Sequence, residues 1–473
     1  MAAVPSPSQS VSSPAATHIS QELAEFAANF DYGAIPGPVR LRAKHLALDA
    51  VGIALASTQF DFAHRAYSAL ADLGGTGDGV VLGFSSRLPL RDAVLMNGIL
   101  IHGLDYDDTH VPGIVHVSAS SVPLALGLAA HLDRSGRELL AAYVLGVEIS
   151  ARLGAVAKGG FHQTGFHPTG LIGTFGCTLA AGFLYGMNAA QLRMAQGIAL
   201  SMAAGSLEFL QDGAWTKRMH PGWAGVAGIT AASLARRGFV GPGAAYEGRF
   251  GLYPSYLGAE AKQCDYSLAT RGLGQTWEVG EVAVKPYPAC HFVHGCADAA
   301  IALRAQGVRA ADIAHVRALV PQEVVKTVCE PVASKRRPAN GYDAKFSIPY
   351  AVATSFVRGR FGLAELEEAA LRDPDVLELA EKVDYEADPN SGFPKSYSGE
   401  VIVRLKDGRE LAHREQINRG AADRPLSNEE IILKFTDNAQ LAVSPSRAGQ
   451  MRDAILAMDE VGSARELASA LGV

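Results

Sequence analysis

The chain has 473 residues, of which 48% are hydrophobic and 19% are charged, and its 48 acidic against 42 basic residues give a net charge of -6. An acidic balance without a basic block argues against a nucleic-acid-binding protein. The five cysteines form no C-x-x-C pair, which excludes a recognisable disulfide framework and the usual zinc or iron–sulfur ligand sets.

The first 18 residues are rich in Ser, Pro and Ala and contain no basic residue. They also lack the apolar stretch of a signal peptide, so we expect a disordered tail at residues 1–18.

From residue 19 onward, apolar residues recur at helical spacing. The pattern predicts helices at residues 39–55, 92–104, 123–132, 138–153, 171–186 and 189–204. Many Ala and Gly residues would let these helices approach closely. The most apolar run, residues 171–187, is interrupted by glycine and threonine, which favours a buried helix over a membrane span.

A polar cluster follows the helix predicted at residues 92–104. Residues 102–116 contain three aspartates and three histidines in a chain otherwise dominated by Ala, Gly and Leu. Such groups are costly to bring together unless they bind or react with something. Asp105 and Thr109 would face one cavity with His116, while Asp107 or Asp108 could instead cap the following segment. A metal site built from these Asp and His residues stays possible, although the spacing matches no known ligand pattern.

Two further histidines lie in a second uncharged stretch, between Lys158 and Arg193. His167 precedes a proline at the start of a predicted helix, where the helix dipole favours a neutral imidazole and an anionic ligand. His162 is a weaker candidate. A buried histidine that satisfies its own hydrogen bonds is the alternative interpretation for both.

Lys217 and Arg218 form the dense cationic group of the apolar middle of the chain. Beside a cavity with carboxylates, they would recognise an anionic substrate. Lys217 is the expected substrate contact, and one of the two cations is expected to be only a surface or ion-pair residue.

After residue 268 the pattern changes. Residues 277–284, 315–320 and 399–405 alternate or are β-branched, and Asp407-Gly408 is typical of a hairpin turn. A capping box at Ser427 then begins further helices. We therefore predict a mainly α protein, in which residues 19–268 and 413–473 form a large helical domain and residues 269–412 form a smaller α+β lid domain.

The segment at residues 285–294 lies near the start of the predicted lid and carries His291 and His294. Cys290 has no sequence partner that would mark it as a nucleophile, so we expect a small buried residue. Residues 345–350 form another polar island before an apolar helix.

Five of these segments, in the same order, resemble motifs of the MmgE/PrpD family. The segments are Leu-Asp-Tyr-Asp-Asp-Thr-His (104–110), Gly-Phe-His-Pro (165–168), Thr-Lys-Arg-Met-His-Pro-Gly (216–222), Lys-Pro-Tyr-Pro (285–288) with His294, and Lys-Phe-Ser-Ile-Pro-Tyr (345–350). The family includes 2-methylcitrate dehydratase, cis-aconitate decarboxylase and iminodisuccinate epimerase. The resemblance implies a homodimer that acts on a small di- or tricarboxylate without a metal or an organic cofactor. It implies a pocket made of Asp105, Thr109, His116, His167, Lys217 and His294.

The resulting hypothesis is a cofactor-independent lyase or isomerase that transfers a proton at a carbon next to a carboxylate. His116, oriented by Asp105, would remove or return the proton, and His167 would be the complementary acid. Lys217 would bind substrate carboxylates together with the other predicted contacts, which are Thr109, Arg218, His291 and His294.

Dehydration of a 2-methylcitrate-like acid is the first choice, with cis-aconitate decarboxylation or iminodisuccinate epimerisation as alternatives. A non-catalytic carboxylate-binding protein is the alternative from another class. The low charged fraction favours an oligomer, and the resemblance implies that it is a homodimer. The cysteine content favours a cytoplasmic protein, the acidic balance argues against a nucleic-acid partner, and the interrupted apolar run argues against a membrane partner.

Overall fold

A computed structural model describes residues 18–472, so nearly all of the predicted N-terminal tail lies outside the described residues. Helices make up 59% of the structure and strands 8%, which confirms the mainly α prediction. The first half of the chain is helical. Its helices are α1 (Ile19–Ala28), α2 (Gly37–Ser57), α3 (Asp61–Gly74), α4 (Leu90–His102), α5 (Val117–His131), α6 (Gly136–Val156), α7 (Gly160–Gln163), α8 (Pro168–Leu184), α9 (Ala189–Leu200), α10 (His220–Arg236) and α11 (Leu252–Leu257).

Helix α8 lies at the centre of this bundle and is buried along almost its entire length, against α6 and α10. Glycines permit some of the closest helix contacts. A methyl group at Gly98 of α4 would lie 2.3 Å from the Cα atom of Gly222 in α10, so neither position has room for a side chain. This contact brings the end of α4 close to the start of α10.

Among residues 18–472, one helix, α6, is long and apolar enough to cross a membrane, and 94% of its most apolar stretch is buried inside the fold. Helices α2 and α3 pass the same test only when they are counted together as one span bent by 90°. A buried core helix of a folded protein has the same composition.

The region after residue 284 adds a small sheet and short helices. The helices are α12 (His294–Ala305), α13 (Val325–Val328), α14 (Val332–Arg336), α15 (Gly341–Ala344), α16 (Ile348–Arg358), α17 (Glu368–Leu371) and α18 (Pro374–Ala380). Strands β1 (Thr109–His110) and β2 (Val282–Ala283) pair separately. The main sheet has the order β4-β3-β5-β6, from β3 (Ile313–Val320), β4 (Val383–Ala387), β5 (Gly399–Leu405) and β6 (Glu410–Glu415).

The pairing of the sheet is mixed. Strand β3 runs parallel to β4 and antiparallel to β5, and β5 and β6 form a hairpin at Asp407-Gly408, where Gly408 has a φ of 89°. The strand predicted at residues 277–284 is mostly absent, because residues 278–281 form a 3₁₀ turn. The backbone N–H of Val279 donates to the Glu148 carboxylate at 2.8 Å. A side chain of α6 thus takes the place of the backbone carbonyl that a neighbouring strand would offer.

Two clusters of buried apolar side chains organise the molecule. One draws on residues 19–284 and 426–471, and the other mainly on residues 283–405. Helices α19 (Asn428–Ala439), α20 (Pro445–Leu456) and α21 (Ala464–Leu471) belong to the first cluster, and α19 packs on α2. The predicted boundaries between the helical domain and the lid domain, after residues 268 and 412, stay a prediction. Val111 and Ile114 of the first half join the second cluster, and the polar cluster of residues 102–116 lies at this junction.

Candidate active site

The chain just beyond α4 presents three successive carbonyl groups to three basic side chains. Arg218 Nε donates to the Gly103 carbonyl at 2.9 Å, Lys345 Nζ donates to that of Leu104, and Lys285 Nζ donates to that of Asp105 at 2.8 Å. The carbonyl end of a helix carries partial negative charge and lacks intrahelical partners. These three hydrogen bonds therefore fix the segment that carries Asp105.

Asp105 is fully buried and has a left-handed backbone with a φ of 53°. Its Oδ1 lies 2.6 Å from Lys217 Nζ and 3.1 Å from Lys285 Nζ. Burial alone would raise the pKa of this carboxyl, but the two lysines outweigh burial and hold that pKa well below its usual range. Asp105 is therefore a carboxylate at neutral pH and holds both ammonium groups in place.

His116 immediately precedes α5, and its backbone N–H donates to Thr169 Oγ1 at 3.0 Å. Its Nδ1 lies 2.9 Å from the Asp108 carbonyl oxygen, which can only accept, so Nδ1 carries the hydrogen and Nε2 is left as the basic nitrogen. Burial, followed by the charges of Lys285, His102 and Lys217, holds the pKa of His116 well below its usual value. The ring is therefore neutral at neutral pH.

His167 immediately precedes α8, and its Nδ1 lies 3.0 Å from Nδ1 of His220 at the start of α10. One of the two nitrogens must donate and the other accept, so the contact requires at least one neutral ring. Burial is the largest cause that lowers the pKa of both rings, which falls well below the usual value for His167 and to about 4 for His220. His167 is thus a second neutral imidazole at the site, next to the start of α8.

These groups line a cavity with about 430 Å³ of space between its wall atoms, part of which is open to solvent. Its polar lining includes Asp105, Thr109, His116, His167, Lys217 and Lys285. Its apolar lining is formed by Ile114, Leu207, Phe209, Leu210, Phe292 and Phe346, and the Phe346 ring centre lies 5.1 Å from Lys217 Nζ. The cavity could thus hold a small anion whose carbon skeleton packs on apolar side chains close to the charged groups.

Two family models match the chain, the MmgE/PrpD N-terminal domain over residues 21–265 and the MmgE/PrpD C-terminal domain over residues 287–460. The chain belongs to the MmgE/PrpD family.

Its relatives in this family include cis-aconitate decarboxylases from animals and a fungus. The chain is 30% identical to that of Homo sapiens, over 85% of this chain and 84% of the relative. It is 28% identical to that of Mus musculus, over 84% and 82%. The enzyme of Aspergillus terreus (strain NIH 2624 / FGSC A1156) is 24% identical, over 96% of both chains.

Most of the predicted site residues line the cavity of this MmgE/PrpD protein. Asp105, Thr109, His116, His167, Lys217 and His291 all do so. The role predicted for Asp105 is different in the structure. Its carboxylate bonds Lys217 and Lys285, whereas His116 is held by the Asp108 carbonyl, so Asp105 does not orient that ring.

Arg218 and His294 do not line the cavity, which corrects their predicted role as substrate contacts. The Arg218 guanidinium lies 4.3 Å from the ring centre of Phe62 and 4.1 Å from that of Tyr342, a position that cation–π attraction stabilises. His294 Nε2 lies 3.1 Å from the Ala289 carbonyl oxygen, and its ring packs behind those of His291 and Tyr287. Both residues support the site from outside it.

Lys285 is the main residue that the sequence prediction of the site omitted. It lines the cavity and contacts Asp105. The sequence contains a clue, because Lys285 is the only lysine or arginine between Arg271 and Arg304. His102 and Asp107 also lie at the site and were noticed only as members of the polar cluster.

Among the described residues, two groups bring ligand atoms within 4.8 Å of one another and could hold a metal ion, the rings of His102, His116 and His167, and the set of His102, Asp105, Asp107 and His116. The electrostatic field opposes that use. Lys217 lowers the pKa of all three rings and would repel a metal cation for the same reason. The site is better suited to an anion.

Proposed function

We propose that this protein is a cofactor-independent lyase that removes CO₂ from cis-aconitate. The observation that carries the proposal is the charge of the cavity wall. Among the residues of 18–472 that line the cavity, two lysines face one carboxylate, and four are histidines, of which His116 and His167 are the proposed proton carriers. A buried site with excess positive charge is stabilised by an anionic ligand.

The choice of reaction rests on the relatives. Three that align over more than four fifths of both chains carry the name cis-aconitate decarboxylase. This support places decarboxylation ahead of the dehydration that the sequence alone favoured. Dehydration of a 2-methylcitrate-like acid and epimerisation of iminodisuccinate stay predictions, and both would use the same anion-binding wall.

The chemistry defines what the side chains must do. Loss of CO₂ from the saturated arm of cis-aconitate breaks one carbon–carbon bond and leaves an electron pair that shifts the double bond. One proton must then be added at the carbon beside a remaining carboxylate. Negative charge grows on that carbon and its carboxylate, so fixed ammonium groups nearby lower the barrier.

We assign carboxylate binding to Lys217, Lys285 and Thr109, and proton delivery to His116 or His167. Both imidazoles are neutral at neutral pH, because burial and nearby cations lower their pKa. A bound tricarboxylate supplies negative charge and raises that pKa, so the substrate itself favours the protonated ring that the reaction needs. The Asp105 carboxylate contacts both lysines and holds them in place.

The test offers purified protein cis-aconitate, 2-methylcitrate and iminodisuccinate separately, each with and without a chelator, and follows the products by NMR. We expect CO₂ release from cis-aconitate at the same rate in both conditions. Turnover of 2-methylcitrate instead would establish the hydro-lyase alternative. Binding of all three acids without turnover would establish a non-catalytic protein, and inhibition by the chelator would contradict a metal-free site.

A variant pair tests the anion contact. Lys217→Met removes one ammonium group from the cavity wall and should lower kcat/KM on the order of 100-fold. Lys406→Met is the matched control, because Lys406 is exposed at the end of β5 and should leave activity unchanged. Equal activity of the two variants would contradict the proposed role of Lys217.

A further inference from the structure

His102 is a buried imidazole that neither the cavity nor the proposed reaction uses directly. It is the last residue of α4 and is fully buried. Its Nδ1 lies 2.8 Å from Asp107 Oδ2, and because a carboxylate can only accept, Nδ1 carries the hydrogen. His102 Nε2 has no hydrogen-bond partner among residues 18–472.

The same carboxylate oxygen also faces His116. Asp107 Oδ2 lies 3.4 Å from His116 Nδ1, beside the shorter contact of that nitrogen with the Asp108 carbonyl. The two rings themselves are close, with centres 4.6 Å apart. One oxygen of Asp107 therefore lies between the Nδ1 atoms of two neighbouring imidazoles.

A carboxylate beside an imidazole stabilises the protonated ring. Asp107 Oδ2 stabilises the His102 ring more than the His116 ring, because the N–H of His102 makes the shorter contact. If the His102 N–H were absent, the full charge of Asp107 Oδ2 would be available to His116.

We infer that His102 is a positioning residue that competes with His116 for Asp107 and so limits how readily His116 holds a proton. Under the proposed function, this competition keeps His116 a weak base until an anionic substrate is bound. His102 does not line the cavity, and it acts on His116 through Asp107 in addition to the direct electrostatic effect of its own ring.

Other charged and titratable groups also face His116 and stay unchanged in the test. They are Asp105 and Asp108 after α4, His167 before α8, Lys217 before α10 and Lys285 after β2, and His162 and His291 line the same cavity. Because substitution of His102 or Asp107 leaves these groups in place, a change in the titration of His116 reports on the shared carboxylate.

Three variants separate the competition from simple packing. His102→Phe keeps an aromatic ring of similar shape between His116 and His167 but removes the N–H. His102→Asn places an amide N–H near the position of Nδ1 and keeps the donor to Asp107. Asp107→Asn removes the charge that both rings share.

The measurement is the NMR titration of the His116 ring in protein labelled at histidine with ¹⁵N, with His116→Gln to assign its signals. We expect the His116 pKa to rise by about 0.5 to 1 pH unit in His102→Phe, to stay within about 0.2 unit in His102→Asn and to fall in Asp107→Asn. An unchanged pKa in His102→Phe, or a rise in Asp107→Asn, would overturn the inference. If His102→Phe does not fold, as judged by circular dichroism, His102→Leu takes its place.

A kinetic measurement then links the inference to the reaction. The alkaline limb of the pH profile of kcat/KM for cis-aconitate, along which activity is lost as His116 gives up its proton, should move to higher pH in His102→Phe and return to its original position in His102→Asn. A purely structural role would lower kcat in both variants without moving the limb. Because the NMR titration needs no substrate, a failure of the proposed activity would leave the test of His102 intact.

Discussion

The direction of Asp105 is set by its backbone. Its φ of 53° places it in the left-handed region, which residues with a side chain seldom adopt and which is found disproportionately at functional sites. Asp105 thereby reaches two lysines, whereas Asp107, two residues further on, reaches two histidines. Two carboxylates close in sequence thus have separate partners and separate tasks.

Asp105→Asn tests the first of these tasks. The substitution leaves Lys217 and Lys285 side by side without a counter-charge, so the two ammonium groups repel each other and lose their fixed positions. We expect kcat/KM to fall on the order of 100-fold while the protein still folds. Steady-state kinetics with a circular dichroism spectrum check this, and activity close to that of the unmodified protein would contradict it.

Ligand binding should also take up protons. Burial is the main cause that lowers the pKa values of His116 and His167 well below the usual range. A tricarboxylate raises those values, so binding of the unreactive analogue tricarballylate near about pH 6 should take up about one proton. Calorimetry in two buffers of different ionisation enthalpy measures this number, and proton release on binding would contradict the assignment.

Asp108 should make the stability of the protein depend on pH. Burial is the largest cause that raises the pKa of this carboxyl to about 7, and Asp107 adds to the effect. The folded state therefore keeps a proton that the unfolded state loses above about pH 4, and stability falls as the pH rises between about 4 and 7. Asp108→Asn should reduce this fall, by about 2 kcal/mol between about pH 5 and about pH 8, in urea unfolding experiments. An equal fall in both proteins would contradict it.

At the scale of the elements, α19 connects the C-terminal helices to the loop that carries Asp105. Lys434 of α19 forms a buried ion pair with Asp49 of α2 at 2.8 Å and donates to the Tyr106 carbonyl at 2.9 Å. Its Nζ also lies 3.8 Å from the centre of the Tyr106 ring. A single side chain thus joins α19, α2 and the residue that follows Asp105.

Lys434→Met should therefore destabilise the fold and impair the site. It leaves Asp49 buried without its partner, which typically costs about 3–5 kcal/mol. The double variant with Asp49→Asn removes the orphaned charge and should recover much of the lost stability, but it should not recover activity, because Tyr106 stays without its donor. Urea unfolding and steady-state kinetics of both variants provide the comparison. Equal stability of the single and double variants would contradict the role of the ion pair.

At the scale of the whole molecule, the sequence predicted what periodic patterns encode. The helical pattern matches α2, α4, α5, α6, α8 and α9, the capping box at Ser427 begins α19, and the turn pattern matches the β5–β6 hairpin. The prediction failed at residues 277–284, where Val279 bonds a carboxylate 131 residues away in sequence. Periodicity within a segment holds no information about such a partner.

Prediction of the site from sequence had the same limit, because local sequence does not reveal distant partners. Residue types in uncharged stretches were enough to select Asp105, His116, His167 and Lys217, all of which line one cavity. The partners of Asp105 depend on its backbone angle. The position of Arg218 outside the cavity depends on its packing between aromatic rings. Neither is determined by local sequence, so the roles of Asp105, Arg218 and His294 required the structure.

The homodimer and the cytoplasmic location stay predictions. A low charged fraction of 19% supports an oligomer. Light scattering coupled to size-exclusion chromatography should give twice the chain mass of 49.7 kDa. A single-chain mass at micromolar concentration would contradict the dimer.

The packing of α19 on α2 also affects the order in which the protein can mature during synthesis. Asp49 leaves the ribosome 385 residues before Lys434, the cation that neutralises it. The first hydrophobic cluster therefore lacks its final helices until translation is nearly complete, although domains commonly fold as they emerge. Nascent chains of this protein therefore expose part of that apolar surface until α19, α20 and α21 have emerged, and we expect their yield to fall when elongation is slowed.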